Sequence, residues 1–184
     1  MFSEELKQGT LQEHRGLEKK LVKQIKEIRR IEDYVQLLER MYGYYEPLQQ
    51  RIAVNFSSGQ SRGRYAENII DDIRHLDPGH DLEFEICENL PDLNSQAASM
   101  GALYVTEGST LGGQIITGMI AKQLKIPTDK GFTFFNAYGE QTQISWENFK
   151  EELNMLSSPE EKQEILNSAK ATFEKFNEWI SLYE

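Results

Sequence analysis

Apolar residues recur at three- and four-residue steps along most of the chain. Leu6, Leu17, Leu21, Ile25 and Ile28, separated by Glu and Lys, predict an amphipathic helix over about 3–29. Tyr34, Leu37, Leu38, Met41, Tyr45, Leu48 and Ile52 predict a second from about Glu32 into the fifties, bent at Pro47. SSGQSRG (57–63) reads as a loop, and RYAENIIDDIRHL as a short helix closed by the turn DPGH. A further short helix is predicted over 81–88, ahead of NLPDLN. The helical pattern returns from about Ser95 to Leu124 and stops at Ile126-Pro127. KGFTFFNAYG is either extended or a glycine-bounded loop. Helix resumes over about Gln143 to Leu156, and Ser158-Pro159 followed by acidic residues starts a last helix reaching about Trp179. With no linker and no internal repeat, this predicts one all-α domain over 1–184, a bundle of seven or so helices.

The periodicity is broken in two places. On the first helix Leu11, His14, Glu18, Leu21, Ile25 and Ile28 form one stripe, so His14 and Glu18 occupy positions where the pattern expects apolar side chains. Residues four apart lie over one another, which lets the Glu18 carboxylate accept a hydrogen bond from one nitrogen of His14 and leaves the other free to ligate a metal. The alternatives are a core histidine satisfied by Glu18 and a helix rotated so that both residues reach solvent.

The second break is EGSTLGGQIITG, residues 107–118, which places four glycines inside a helix where each costs roughly 0.8–1 kcal/mol relative to alanine. Gly101, Gly108 and Gly112 lie one and two turns apart, and Gly113 adjoins the last. The helix face near Gly108 and Gly112 is therefore bare backbone, suited to a close neighbour. That neighbour is either another helix packed small-to-small or a flat ligand. A flat ligand carrying a metal would use both features, with one axial ligand from His14 and a smooth wall opposite. Haem has that shape.

Composition narrows the classes. An apolar share of 39% and a charged share of 27% fit a folded globular protein and not a disordered one. A formal net charge of −10 argues against nucleic acid and anionic membranes as partners. Cys87 is the single cysteine, which excludes a disulfide framework within the chain and fits a reducing, cytoplasmic compartment. No segment has the apolar length of a membrane span, and the first residues lack a signal-peptide core.

Thr10, His14 and Glu18 in the pattern T-x-x-x-H-x-x-x-E, followed by GSTLGGQ, resemble the haem oxygenases. YGYYEPL, ALYVTEGSTLGGQ and GFTFFNAYG are similar to the branch found alongside bacteriophytochromes, and the resemblance runs from Leu6 to about Trp179. It implies an all-α fold with haem between a proximal helix and a kinked, glycine-rich distal helix. It further implies His14 as iron ligand and Glu18 as its hydrogen-bonding carboxylate. Gly108 and Gly112 would approach the haem and its bound oxygen, Gly113 would stand with the haem-binding residues, and Tyr45 would join the distal hydrogen bonds. Phe173 would line the pocket, and Lys7 and Lys150 would lie near the propionates. Two positions depart from the animal enzymes of the family: Ser109 replaces an aspartate that organises proton delivery, and Asn154 stands where an arginine meets a propionate.

The implied reaction opens haem to biliverdin, carbon monoxide and ferrous iron. It uses O2 and electrons from a reductase or ferredoxin-type donor, with haem as both substrate and cofactor. A bacteriophytochrome is the implied recipient of biliverdin. Three rival readings stand beside it. A haem carrier on the same fold would keep His14 without turnover. A di-iron oxidase would have to be built from Asp72-x-x-His75 and Asp77-x-x-His80. A plain interaction module would bind no haem. In the simplest reading of the remaining features, His75 and His80 are surface residues, Cys87 is a small buried hydrophobe, and Phe132, Phe134 and Phe135 are core.

Overall fold

The computed structural model describes residues 1–56 and 62–184, and most of the predicted loop 57–63 lies outside them. Seven α-helices and one short 3-10 turn make up the regular structure of the described residues, with no strand among them. They are α1 (Phe2–Gly9), α2 (Leu11–Glu27), α3 (Ile31–Val54), α4 (Tyr65–Leu76), α5 (Gln96–Leu124), α6 (Thr142–Met155) and α7 (Pro159–Ser181), with the turn at Gly139–Gln141. The all-α expectation holds. α5 packs along α7, α4 against α3, and α2 against α7.

Two predicted elements differ. The single helix over 3–29 is two helices, broken at Thr10 (φ −107°, ψ 4°). The Leu6 carbonyl accepts both the Thr10 amide at 3.0 Å and the Thr10 hydroxyl at 2.8 Å, which closes the end of α1. The expected helix over 81–88 is irregular backbone, docked on α3 by one of its amides and, beyond it, by the Leu93 carbonyl. Cys87 N–H donates to the Gly43 carbonyl at 2.8 Å, and Asn55 Nδ2 donates to the Leu93 carbonyl at 2.8 Å. Pro47 sits within α3, which is continuous as a helix to Val54.

KGFTFFNAYG is a set of turns fastened from three sides. Tyr34 Oη donates to the Gly131 carbonyl at 2.8 Å, and the Asp72 carboxylate accepts the Thr133 and Phe134 amides at 2.8 Å each. The Phe135 carbonyl lies against Gly113, where an added Cβ would fall 1.7 Å from that oxygen. Phe132, Phe134 and Phe135 are all buried, as core residues. Ser158 caps α7 by accepting the Glu161 amide at 3.2 Å, with Pro159 at the first helical position.

Candidate functional site: a slot between α2 and α5

α2 and α5 run side by side in the same direction and meet at both ends. At one end the Thr10 hydroxyl lies beside the Tyr104 phenol, which burial pushes up in pKa while Thr10 acts in the opposite sense. At the other, Gln123 Nε2 donates to the carbonyls of Ile25 and Ile28 at 2.9 and 3.0 Å.

Between these joints the facing stripes are open. Along α2, Thr10 is 1% exposed and Ile25 1%, whereas His14 and Glu18 between them are exposed. Along α5, Tyr104 is 8% exposed, but Leu111 and Ile115 reach 41% and 70%. Large apolar side chains in water beside bare backbone mark a surface built to be covered. The His14 ring leans on Phe173 of α7, with centroids 5.4 Å apart. Phe173 itself is buried, so it sets the imidazole from behind.

The glycines separate into two groups. A Cβ at Gly112 would meet nothing within 4 Å, and one at Gly108 would make ordinary contact with the Trp146 ring of α6 at 3.5 Å. These two present open backbone on the slot side. Gly101 and Gly113 face packed backbone: a Cβ would fall 2.4 Å from the Ile165 carbonyl and 1.7 Å from that of Phe135. Packing against the 131–138 turns accounts for Gly113, which the sequence grouped with the ligand-facing glycines.

Behind the glycine wall lies a polar layer. Tyr45, buried on α3, donates to Ser109 Oγ at 3.1 Å, and Ser109 donates to the Thr106 carbonyl at 2.6 Å. Burial pushes the Tyr45 phenol up to about 12, so at neutral pH it stays protonated and acts as a donor. Glu107, 1% exposed, accepts from Tyr65 Oη at 3.0 Å and from Tyr138 Oη at 2.8 Å. Burial raises the pKa of all three groups. The sequence reading missed this cluster, although a signal existed: Glu107 is the one charged residue between Gln96 and Ala121.

Other expected residues lie as follows. His14 and Glu18 do not turn into the core, and no hydrogen bond joins them among the described residues. Glu18 lines a shallow open groove of about 520 Å3 with Arg15, Lys19, Val22, Lys23, Lys26 and Glu27. Lys7 is exposed in the last turn of α1, and Lys150 pairs with Glu147 at 2.8 Å. Asn154 Oδ1 accepts the Ser3 amide at 2.9 Å, a contact that ties α1 to α6. No group of three or more His, Cys, Asp or Glu side chains suited to a metal ion occurs among the described residues. Asp72 is taken up by backbone amides, so it is not the carboxylate of a di-iron pair. His80, expected at the surface, bridges Glu39 (2.6 Å) and Asp77 (3.1 Å).

Fold and slot together define a class: an all-helical protein with an open slot walled by a histidine-bearing helix and a glycine-bare one. A family model described as Heme oxygenase matches residues 71–181, a span that contains α5 and α7 but begins after α2 and α3. The chain belongs to the haem oxygenase family. A protein named "Heme oxygenase" from Xanthomonas campestris pv. campestris (strain 8004) is 28% identical over 149 residues, 78% of this chain and 86% of that one. The structure of heme oxygenase from Leptospira interrogans matches with a TM-score of 0.78 over 98% of both chains, at 20% identity, a likeness of fold. No helix among the described residues is long and apolar enough to cross a membrane.

Proposed function

We propose that this chain, as one domain over 1–184, binds haem in the slot between α2 and α5 and opens it oxidatively to biliverdin, carbon monoxide and ferrous iron. The observation that carries the reading is the pair of stripes on α2 and α5, joined near Thr10 and Tyr104 and again at Gln123 and exposed between the joints, with His14 on one helix and Gly112 on the other. Haem, when bound, supplies both the oxygen-activating iron and the carbon skeleton that is opened.

The chain's own part is to hold and to orient. His14, leaning on Phe173, would hold the haem iron, and a turn of the Glu18 side chain would bring its carboxylate to the imidazole, one helical turn away. Leu111 and Ile115 would cover the apolar edge and exclude water, while Gly108 and Gly112 would leave the space beside bare backbone clear of side chains. Ser109, released from the Thr106 carbonyl, turns its hydroxyl into the slot, and Tyr45 behind it keeps donating to the same oxygen. That pair stands in for the aspartate of the animal enzymes. Lys7 is the lysine free for a propionate; Lys150 must first leave Glu147.

Electrons come from an external reductase or ferredoxin-type donor. Membership of the bacteriophytochrome-associated branch, with biliverdin passed to a bacteriophytochrome, rests on the segments YGYYEPL, ALYVTEGSTLGGQ and GFTFFNAYG. The test is a hemin titration of wild type and His14→Ala followed in the visible spectrum, then addition of a reductant in air with catalase present. Saturable 1:1 binding that needs His14, with biliverdin absorption replacing the Soret band, is the expected result. Saturable binding without biliverdin would make the chain a haem carrier; no saturable binding would remove the haem reading.

A further inference from the structure

The glycine wall poses a mechanical problem. Gly108, Gly112, Gly113 and Gly118 lie within eleven residues of α5, and each weakens the helix that must present them at a fixed height over a ligand. The slot side supplies nothing to hold this stretch, since Cβ atoms at Gly112 and Gly118 would meet open space. Whatever fixes it acts from behind.

We propose that Glu107 is the positioning residue of the distal wall. Its two oxygens accept from phenols on two different bodies, Tyr65 at the start of α4 and Tyr138 at the end of the 131–138 turns. A carboxylate gripped at both oxygens fixes the rotation of α5 about its own axis at the residue next to Gly108 and Ser109. That rotation decides whether Ser109 Oγ stays on Tyr45 and whether Gly108 and Gly112 face the slot. The turns that carry Tyr138 are themselves anchored by Asp72 on Thr133 and Phe134 and by Phe135 against Gly113, so the grip is on a rigid partner. A leucine would fill the same volume with no fixed rotation and would leave the buried Tyr65 hydroxyl and the half-buried Tyr138 hydroxyl without their shared acceptor. This inference deepens the haem reading, but its first readout needs no haem.

The test is amide hydrogen exchange of the ligand-free protein, wild type against Glu107→Leu, Glu107→Gln and Tyr138→Phe. Exchange over 108–118 is expected to rise about tenfold or more in Glu107→Leu, while α1 and the centre of α7 keep their wild-type rates. Glu107→Gln keeps an acceptor for one phenol and turns a donor to the other, so it falls between. Tyr138 is only half-buried, and its phenylalanine variant carries the test if Glu107→Leu does not fold. The second readout is the ferric spectrum of added hemin, which should split into a mixture of forms in the leucine variant and return towards a single form in the glutamine variant. Unchanged exchange over 108–118, or a uniform rise across the chain, would overturn the proposal. Failure of wild type to bind hemin would sink the haem reading and leave the exchange result standing on its own.

Discussion

The Gly43 carbonyl accepts the Cys87 amide at 2.8 Å, and Pro47 is the reason it is free to do so. Four residues on in α3, Pro47 has no N–H to return to that carbonyl. The freed acceptor docks the irregular stretch after α4 onto the helix, at a residue without a side chain. A Cβ at Gly43 would fall 2.4 Å from the Glu85 carbonyl and 2.6 Å from the Trp179 ring.

Gly43→Ala is therefore expected to destabilise the protein by ~1–3 kcal/mol, the usual cost of overpacking, with the melting temperature falling by several degrees. Thermal unfolding by circular dichroism checks it. An unchanged melting temperature would mean that the segment around Glu85 moves aside freely.

The same contact explains where the sequence was legible and where it was not. Helix periods over α3, α5 and α7 were strong because long apolar stripes face a single core, and their observed bounds fall close to the expected ones. The stretch 81–88 was expected as a short helix ahead of NLPDLN, but its docking is decided by an acceptor forty-four residues away, which no local pattern reports. His14 and the slot-facing glycines announced themselves by breaking a pattern. Glu107 also broke a pattern, but its partners stayed hidden, since a lone acid in an apolar helix looks the same whether it meets water or two phenols from other parts of the chain.

Gly112→Ala and Gly113→Ala should part company. At Gly112 the added methyl meets open space, so alanine raises stability by up to ~1 kcal/mol through helix propensity while occupying the ligand face. Hemin affinity is expected to fall by roughly tenfold. At Gly113 the methyl would run into the Phe135 carbonyl, and stability drops by ~3 kcal/mol or more. Paired melting curves and hemin titrations decide the matter; equal destabilisation by both would mean that the slot is closed.

His80 joins the turn after α4 to α3 through Asp77 and Glu39. Partial burial lowers its pKa, the hydrogen bonds to Glu39 and then Asp77 raise it, and the net shift is upward from 6.5. A histidine whose folded pKa is raised adds stability that is fully present below its unfolded value and lost as pH climbs through the folded one. The melting temperature should accordingly decline from about pH 6.5 upward. His80→Gln should remove that slope. An identical pH profile in the variant would show that the bridge carries no charge-dependent stability.

Tyr45 and Ser109 are expected to be unequal partners. Tyr45→Phe removes a donor from Ser109, whose exposed hydroxyl turns to water, so the cost should be only ~1 kcal/mol. Ser109→Ala instead strands the Tyr45 phenol in a buried place with no acceptor, which costs ~1–3 kcal/mol although the residue removed is smaller and lies at the surface. The double variant should then be more stable than Ser109→Ala alone, because the stranded hydroxyl goes with the tyrosine. Denaturant midpoints for the four proteins measure the cycle. If Ser109→Ala is the milder of the two single changes, water reaches Tyr45 from behind α5, and the pair is no sealed relay towards the slot.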